Sequence, residues 1–246
     1  KYANIAAMKS HGIEFTISSK NIQSKDFSWN TDFIFSKAKN EVTELNARSS
    51  VMDLVSGYGF ARQGYPVRGL FSIPFVGLSS NGIPMYNING KITSTDIDFQ
   101  TRDNIDYLKY EGPTDPTITG SFGNIFTYKA FKLNVFITYS FGNVVRLNPC
   151  FNYQYSDLSS MPREFKNRWT VPGDEKHTNI PAIISKRQYE DNKDLMYAYN
   201  AYNYSTERIA KGDFIRMKEI SLSYDFPKSW ITSAKISNLS LKLQAT

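Results

Sequence analysis

Polar and apolar residues alternate with a period of two in several stretches of the chain, most clearly in Gly120–Asn143, GSFGNIFTYKAFKLNVFITYSFGN. Phe131, Leu133, Val135, Ile137 and Tyr139 fall on one side, and Lys132, Asn134, Thr138 and Ser140 on the other, with Phe136 the exception. Such alternation sends successive side chains to opposite faces of a β-strand and leaves one face wet. Asn124, Phe126 and Tyr128 alternate in the same way with Ile125, Thr127 and Lys129, so a tight turn at Tyr128–Phe131 closes a hairpin. Each arm is about nine to eleven residues long, the length that crosses a bilayer at a tilt. Soluble β-sandwiches are built from alternating hairpins too, so one hairpin leaves both architectures open.

The same pattern recurs along the chain. Gly12–Ser19 alternates Ile13, Phe15 and Ile17 with Glu14, Thr16 and Ser18, and Phe27–Ser36 follows after a polar turn at Asn21–Asp26. Asp213–Phe226 sets Ile220, Leu222, Tyr224 and Phe226 against Glu219, Ser221, Ser223 and Asp225, and Leu239–Gln244 ends the series. Two long stretches, Lys37–Thr119 and Val144–Gly212, carry few regular signals. Within them Val67–Leu78 reads as a strand that Pro74 confines to an edge or a bulge. A helix is expected around Glu190–Ala201. Connections therefore run short, long, short, long, short. Structureless loops of about 70 residues are rare in compact soluble domains, whereas short turns alternating with long loops are what membrane barrels show.

Composition narrows the classes. Aromatics make up 15% of the 246 residues, with Phe and Tyr far ahead of Trp. Mean hydropathy is −0.42, and no apolar run approaches the ~20 residues of a spanning helix. A β-barrel would not register on that measure, because only alternate residues meet lipid. The single cysteine, Cys150, excludes an internal disulfide framework. Net charge is +6, but lysines and arginines are scattered, so nothing marks a nucleic-acid footprint. The opening residues are neither a signal peptide nor a start methionine and the last ones stop inside an alternating run. The chain thus reads as a piece of a longer protein.

Nothing in the sequence points to catalysis. His11 and His177 stand far apart without metal-ligand neighbours, and no nucleophile elbow or phosphate-binding loop is present. Asp96, Asp98, Asp103 and Asp106 are calcium-type ligands, but their spacing is not that of an EF-hand and they read as solvated loop carboxylates. No catalytic, metal or cofactor site is expected. The long loops are rich in aromatics, which either stack on sugars and peptides or pack together to order the loops. Tyr58, Tyr65, Tyr86 and Trp169 are the substrate-binding candidates, on this ground alone.

Several segments taken in order resemble the C-terminal half of SusC/RagA-type TonB-linked outer-membrane transporters of Bacteroidetes. They are Gly12–Val42, Gly64-Tyr65-Pro66 followed by Gly77-Leu78 and Gly82-Ile83-Pro84-Met85-Tyr86, then Asp115–Asn143, Arg168–Glu175 and Gly212–Pro227. The resemblance implies an all-β fold: a transmembrane antiparallel barrel of about 22 strands with a plugged lumen and long extracellular loops. It implies TonB-dependent import of oligosaccharides or peptides across the cell outer membrane, with a SusD-like lipoprotein as partner and no enzymatic activity. Residues 1–246 would be the C-terminal portion of the barrel domain, without the plug that contacts the TonB complex and without the closing strands. On that reading Ile13, Ile17, Phe33, Leu133, Val135, Ile137, Ile220 and Leu222 face lipid. Tyr128, Tyr139, Tyr224 and Trp29 sit at the interfaces, and Lys132, Asn134, Thr138, Ser221 and Lys242 face the lumen. The alternative is a secreted or surface glycan-binding β-sandwich with no transport role.

Overall fold

Six of the seven stretches expected as strands form one antiparallel sheet. They are β1 (Ala6–Gln23), β2 (Phe27–Leu45), β3 (Ile118–Tyr128), β4 (Phe131–Phe141), β5 (Phe214–Asp225) and β6 (Ser240–Ala245), and each pairs with its neighbour in chain order. This is a computed structural model that describes residues 6–57, 61–151, 160–232 and 235–246. The chain divides into two compact units. One holds residues 10–39, 116–142 and 212–246, the bulk of the sheet; the other is built mainly from 40–115 and 143–211.

The sheet strands are longer than the apolar pattern alone suggests. β1 and β2 run well past the expected Gly12–Ser19 and Phe27–Ser36, and the turn between them shrinks to 24–26. Polar side chains support the extra length, for example Lys9 paired with Glu41 at 3.1 Å. The β3–β4 hairpin closes through the two residues Lys129 and Ala130, and Lys129 takes φ 52°, the positive φ that matches a hairpin's twist. β5 carries a bulge: Met217 faces Ile137 and Glu219 faces Phe136, leaving Lys218 as the extra residue.

The second unit corrects the expectation of irregular loops. A helix at Val51–Ser56 is closed by a capping box between Ser50 and Asp53 and by Gly57 at φ 71°. It buries Val51, Leu54 and Val55 against Phe71, Ile73, Tyr86 and Phe99. A further cluster joins Phe151, Phe165, Leu195, Ala198, Tyr199 and Tyr202. Each such large side chain, once buried, contributes on the order of 2 kcal/mol, which is what lets stretches this long stay ordered. The expected strand Val67–Leu78 is two strands, Gly69–Ser72 and Phe75–Leu78, because Pro74 has no N–H to donate; its carbonyl accepts from the Asn87 amide at 3.0 Å. The expected helix is likewise two, Lys186–Asp191 and Leu195–Asn203. Asn192 breaks it by taking extended backbone and accepting the Asp194 amide on its side chain.

Arg146 ties this unit together. Its guanidinium donates to the carbonyls of Val55, Phe71 and Ser205 and to the Ser72 hydroxyl, and lies 5.6 Å from the Tyr204 ring centroid. Burial pulls its pKa down to about 10, with Glu111 opposing the shift. Asn203 does the same for a loop: its amide oxygen accepts from Cys150 and Phe151, and its nitrogen donates to the Phe151 carbonyl.

Candidate functional site

The register of the sheet sorts its side chains into two faces. Phe131, Leu133, Val135, Ile137 and Tyr139 of β4 stand opposite Tyr224, Leu222, Ile220, Met217 and Ile215 of β5. On the other flank Ile137, Leu133 and Phe131 meet Phe122, Phe126 and Tyr128 of β3, which meet Phe33, Trp29 and Phe27 of β2. Phe15 joins them through ring contacts with Phe33 and Phe35. Among the described residues no second layer covers this apolar face. Ile13 is 68% exposed, Ile215 69%, Leu243 65% and Leu222 44%, values that a sandwich core would bring near zero.

Aromatics concentrate toward the two ends of that face. Phe131 packs on Tyr224 with centroids 4.7 Å apart near the short turns, beside the Trp29–Phe126 stack at 5.7 Å. Tyr139 stacks on Phe141 at 5.6 Å toward the other end. Between them β4 and β5 carry only aliphatic residues on this face: Leu133, Val135, Ile137, Ile220, Leu222 and Met217. From Phe131 to Phe141 the height is roughly 25 Å for strands tilted by about 40°, the height of the apolar band on outer-membrane barrels. Polar side chains within the face are bonded across strands: Asn124 accepts from the Trp29 indole and the Thr31 hydroxyl, and Thr31 accepts from Asn21.

The opposite face is polar. Glu219 accepts hydrogen bonds from Asn134, Ser221 and Lys242, linking three strands, while Ser18 donates to Asp32 and Ser36 to Glu14 across β1 and β2. Lys132 and Thr138 share that face by register. Phe136, the exception in the alternation, belongs here because it stands across from Gly123 and covers it. Gly120 is covered from the apolar face by Tyr139, whose hydroxyl reaches past it to the Ile34 carbonyl at 2.9 Å. Two glycines in one strand, each sealed by an aromatic from the next, keep a strongly twisted sheet hydrogen-bonded.

In the other unit a cavity of about 580 Å³ opens beside the Leu195–Asn203 helix. That helix turns Leu195, Ala198, Tyr199 and Tyr202 into the core and presents Met196, Tyr197 and Asn200 to the cavity. Met52, Phe99, Asp98 and Gln100 complete the wall, positioned by the amide of Met52 donating to the Phe99 carbonyl. Burial, and then the Asp98 charge, push the nearby Tyr107 phenol up to about 12, so it stays a neutral donor. Amides, a carboxylate and aromatic edges suit binding; no nucleophile–base pair lines the space. Sequence reasoning missed Met52, Gln100 and Asn200, whose residue types carry no local signal.

The sequence-expected candidates sit elsewhere. Tyr58 lies outside the described residues. Tyr65 is half-buried and wedged between Phe71 and Tyr110 at 5.0 and 4.8 Å. Tyr86 is fully buried with its hydroxyl on the Ala198 carbonyl at 2.7 Å, so its ring is committed to the core. Trp169 donates its indole N–H to Glu175 and lies flat on Gly82, where a Cβ would meet the ring at 2.5 Å. The four aspartates disperse: Asp96 pairs with Lys91, Asp103 with Arg48 and Asp106 with Arg62, while Asp98 accepts the Gln100 amide.

No protein-family profile matches the chain. It is 25% identical over 258 residues to TonB-dependent receptor P3 of Formosa agariphila, which covers 93% of this chain and 23% of that protein. The TonB-dependent receptor SusC of Bacteroides thetaiotaomicron is 25% identical over 237 residues, covering 93% of this chain and 22% of its own length. The chain therefore spans about a quarter of the length of the curated relatives it matches. Among solved structures the RagAB peptide transporter superposes on the whole chain with a TM-score of 0.70 at 20% identity, using 27% of its own length. These relatives are receptors and transporters, not enzymes. The chain thus resembles SusC/RagA-type TonB-dependent receptors in sequence over nine-tenths of its length and shares the antiparallel fold of the RagAB transporter over all of it.

Proposed function

We propose that the chain is part of the C-terminal wall and loops of a plugged outer-membrane barrel that imports an oligosaccharide or a peptide, driven by TonB and served by a SusD-like surface lipoprotein. The observation that carries this is the exposed apolar face of the sheet, bounded by aromatics and backed by a hydrogen-bonded polar face. Water would not tolerate a continuous surface of that kind, whereas hydrocarbon does. The polar face then looks into the lumen, and the outer edges of β1 and β6 meet the remaining strands of the barrel. A glycan-binding sandwich would need a second sheet over Leu133, Val135 and Ile137, and the described residues supply none.

The test is a spin-label accessibility scan of Phe131–Phe141 in the complete receptor, carried in outer-membrane vesicles. Oxygen accessibility should peak at 133, 135 and 137 and fall at 132, 134 and 138. A flat profile, or peaks at the even positions, would sink the reading. Uptake that persists in a strain lacking TonB would remove the driving-force part of it.

A further inference from the structure

A second cavity in the loop unit, about 230 Å³, has a different chemistry from the first. Leu45, Leu54 and Ile105 form apolar wall, and three arginines, Arg48, Arg62 and Arg102, are among the remaining lining residues, with Ser49 and Gln63 beside them. The arginines come from three separate segments, so the fold and not a local run of charge brings them together. Arg62 is the anchored one: it lies over the Tyr65 and Phe71 rings at 5.4 and 5.5 Å and pairs with Asp106. Arg48 pairs with Asp103 at 2.9 Å. Arg102 has no ion-pair or hydrogen-bond partner among the described residues.

We propose that this cavity is an anion subsite for the imported molecule, taking a carboxylate or sulfate group carried on a short oligosaccharide or peptide; the proposal rests on the import reading above. The planar guanidinium fork matches both anions, and the apolar wall beside it accommodates the carbon frame that bears them. Asp103 and Asp106 do not block the site. Their side chains are 74% and 87% exposed, and ion pairs that open to water exchange readily for a better-held anion. Arg102 supplies a charge that no acid among the described residues answers. The larger cavity, with Asp98 and amides, offers no such charge, so the anionic end of the substrate belongs here.

The complete receptor, purified in detergent, is titrated calorimetrically with trigalacturonate against neutral galactotriose, and with N-acetyl-trialanine against N-acetyl-trialanine amide. One carboxylated probe should bind and its neutral counterpart should bind at least about tenfold more weakly, as loss of one charge-assisted contact requires. Arg102→Gln and Arg48→Gln should each weaken the carboxylated probe about tenfold and leave the neutral one unchanged. Arg187→Gln, on an exposed helix, should change neither, and added salt should weaken only the charged probe. The responding arm identifies the carrier as sugar or peptide. Equal affinity for charged and neutral probes, failure of both carboxylated probes to bind, or a silent Arg102→Gln overturns the subsite. Membrane insertion, read from heat-modifiable gel mobility, separates the two ideas. An inserted receptor that ignores the carboxylates sinks only the subsite, and one that binds them without inserting sinks only the import reading.

Discussion

Placing one arginine on each face of β4 tests the reading of the sheet directly. Val135 stands four residues from Phe131 and six from Phe141. At about 3.3 Å per residue and a tilt of about 40°, it lies roughly 10 Å from one aromatic end and roughly 15 Å from the other, close to the middle of the apolar band. An arginine at that depth on the lipid side of a barrel costs about 2–4 kcal/mol. Asn134 is one residue away at nearly the same depth, but its side chain is on the polar face beside Glu219. Arginine there meets a carboxylate and water, so Asn134→Arg should cost about 0–1 kcal/mol, within the range of an exposed substitution. The difference, at least about fivefold in the unfolding equilibrium, is measured by urea titration of the complete receptor in lipid vesicles, followed by tryptophan fluorescence and gel mobility. Phe131→Arg, at the aromatic boundary, should fall back toward about 0–1 kcal/mol beyond the packing lost with the ring. Equal costs at 134 and 135 would mean that neither face meets hydrocarbon.

Gly120→Ala drives a Cβ into the Ile34 carbonyl and the Tyr139 hydroxyl, neither of which is free to move, and should destabilise the same receptor by about 1–3 kcal/mol. Tyr139→Phe alone should cost about 1 kcal/mol, and in the Gly120→Ala background it should cost less, a coupling read from the double-mutant cycle. Gly82→Ala combines a positive φ of 71° with a collision against Trp169 and Ala182 and should cost about 2–4 kcal/mol, seen as rapid proteolysis of the loops. Asp174 accepts the Thr170 and Val171 amides and the Thr170 hydroxyl, which hold its carboxyl below the usual carboxylate range. A depressed folded value means that the turn's stabilisation is complete above an unfolded pKa of about 4 and disappears as pH falls through the lower folded one. Protection of the Thr170 and Val171 amides from exchange, taken relative to unstructured rates at the same pH, should therefore fall under acid conditions, and Asp174→Asn should abolish that pH dependence.

Much of the sheet was legible because period-two alternation states both a strand and its faces. The facing of Ile13, Ile17, Phe33, Leu133, Val135, Ile137, Ile220 and Leu222 follows from alternation, since one strand's pattern and its neighbour's register must agree. Alternation fails where backbone geometry changes. At Lys218 the bulge inserts one residue, so Ile215 and Met217 share a face with Ile220 and Leu222 although their numbering differs in parity. The slip was present in the sequence as two apolar positions three apart. Phe136 departs from the alternation because it covers Gly123, a relation between two strands that one strand's sequence does not contain. The loop unit was illegible for another reason. Its order comes from contacts between residues far apart in the chain, such as Tyr86 with Ala198 and Arg146 with Val55, and no local period reports them.

The two units handle their apolar residues in opposite ways, and the contrast carries the argument for a membrane. In the loop unit Phe71, Tyr86, Tyr199 and Ile73 are fully buried, and Arg146 and Asn203 satisfy the carbonyls and amides that burial would strand. That is how a chain behaves when its surroundings are water. In the sheet, side chains of the same kinds lie open while serines, an asparagine and a glutamate bond one another on the reverse side. The two patterns suit parts that meet different solvents, as the import reading proposes. The polar network around Glu219 then has a specific consequence: it orders the polar side of the sheet without drawing on the loops. Substitution of Glu219 by Gln should loosen β4, β5 and β6 together, seen as faster amide exchange in all three strands, while exchange in the Leu195–Asn203 helix stays as it was. Equal acceleration in that helix would show that the units fold as one and that the division by solvent is mistaken.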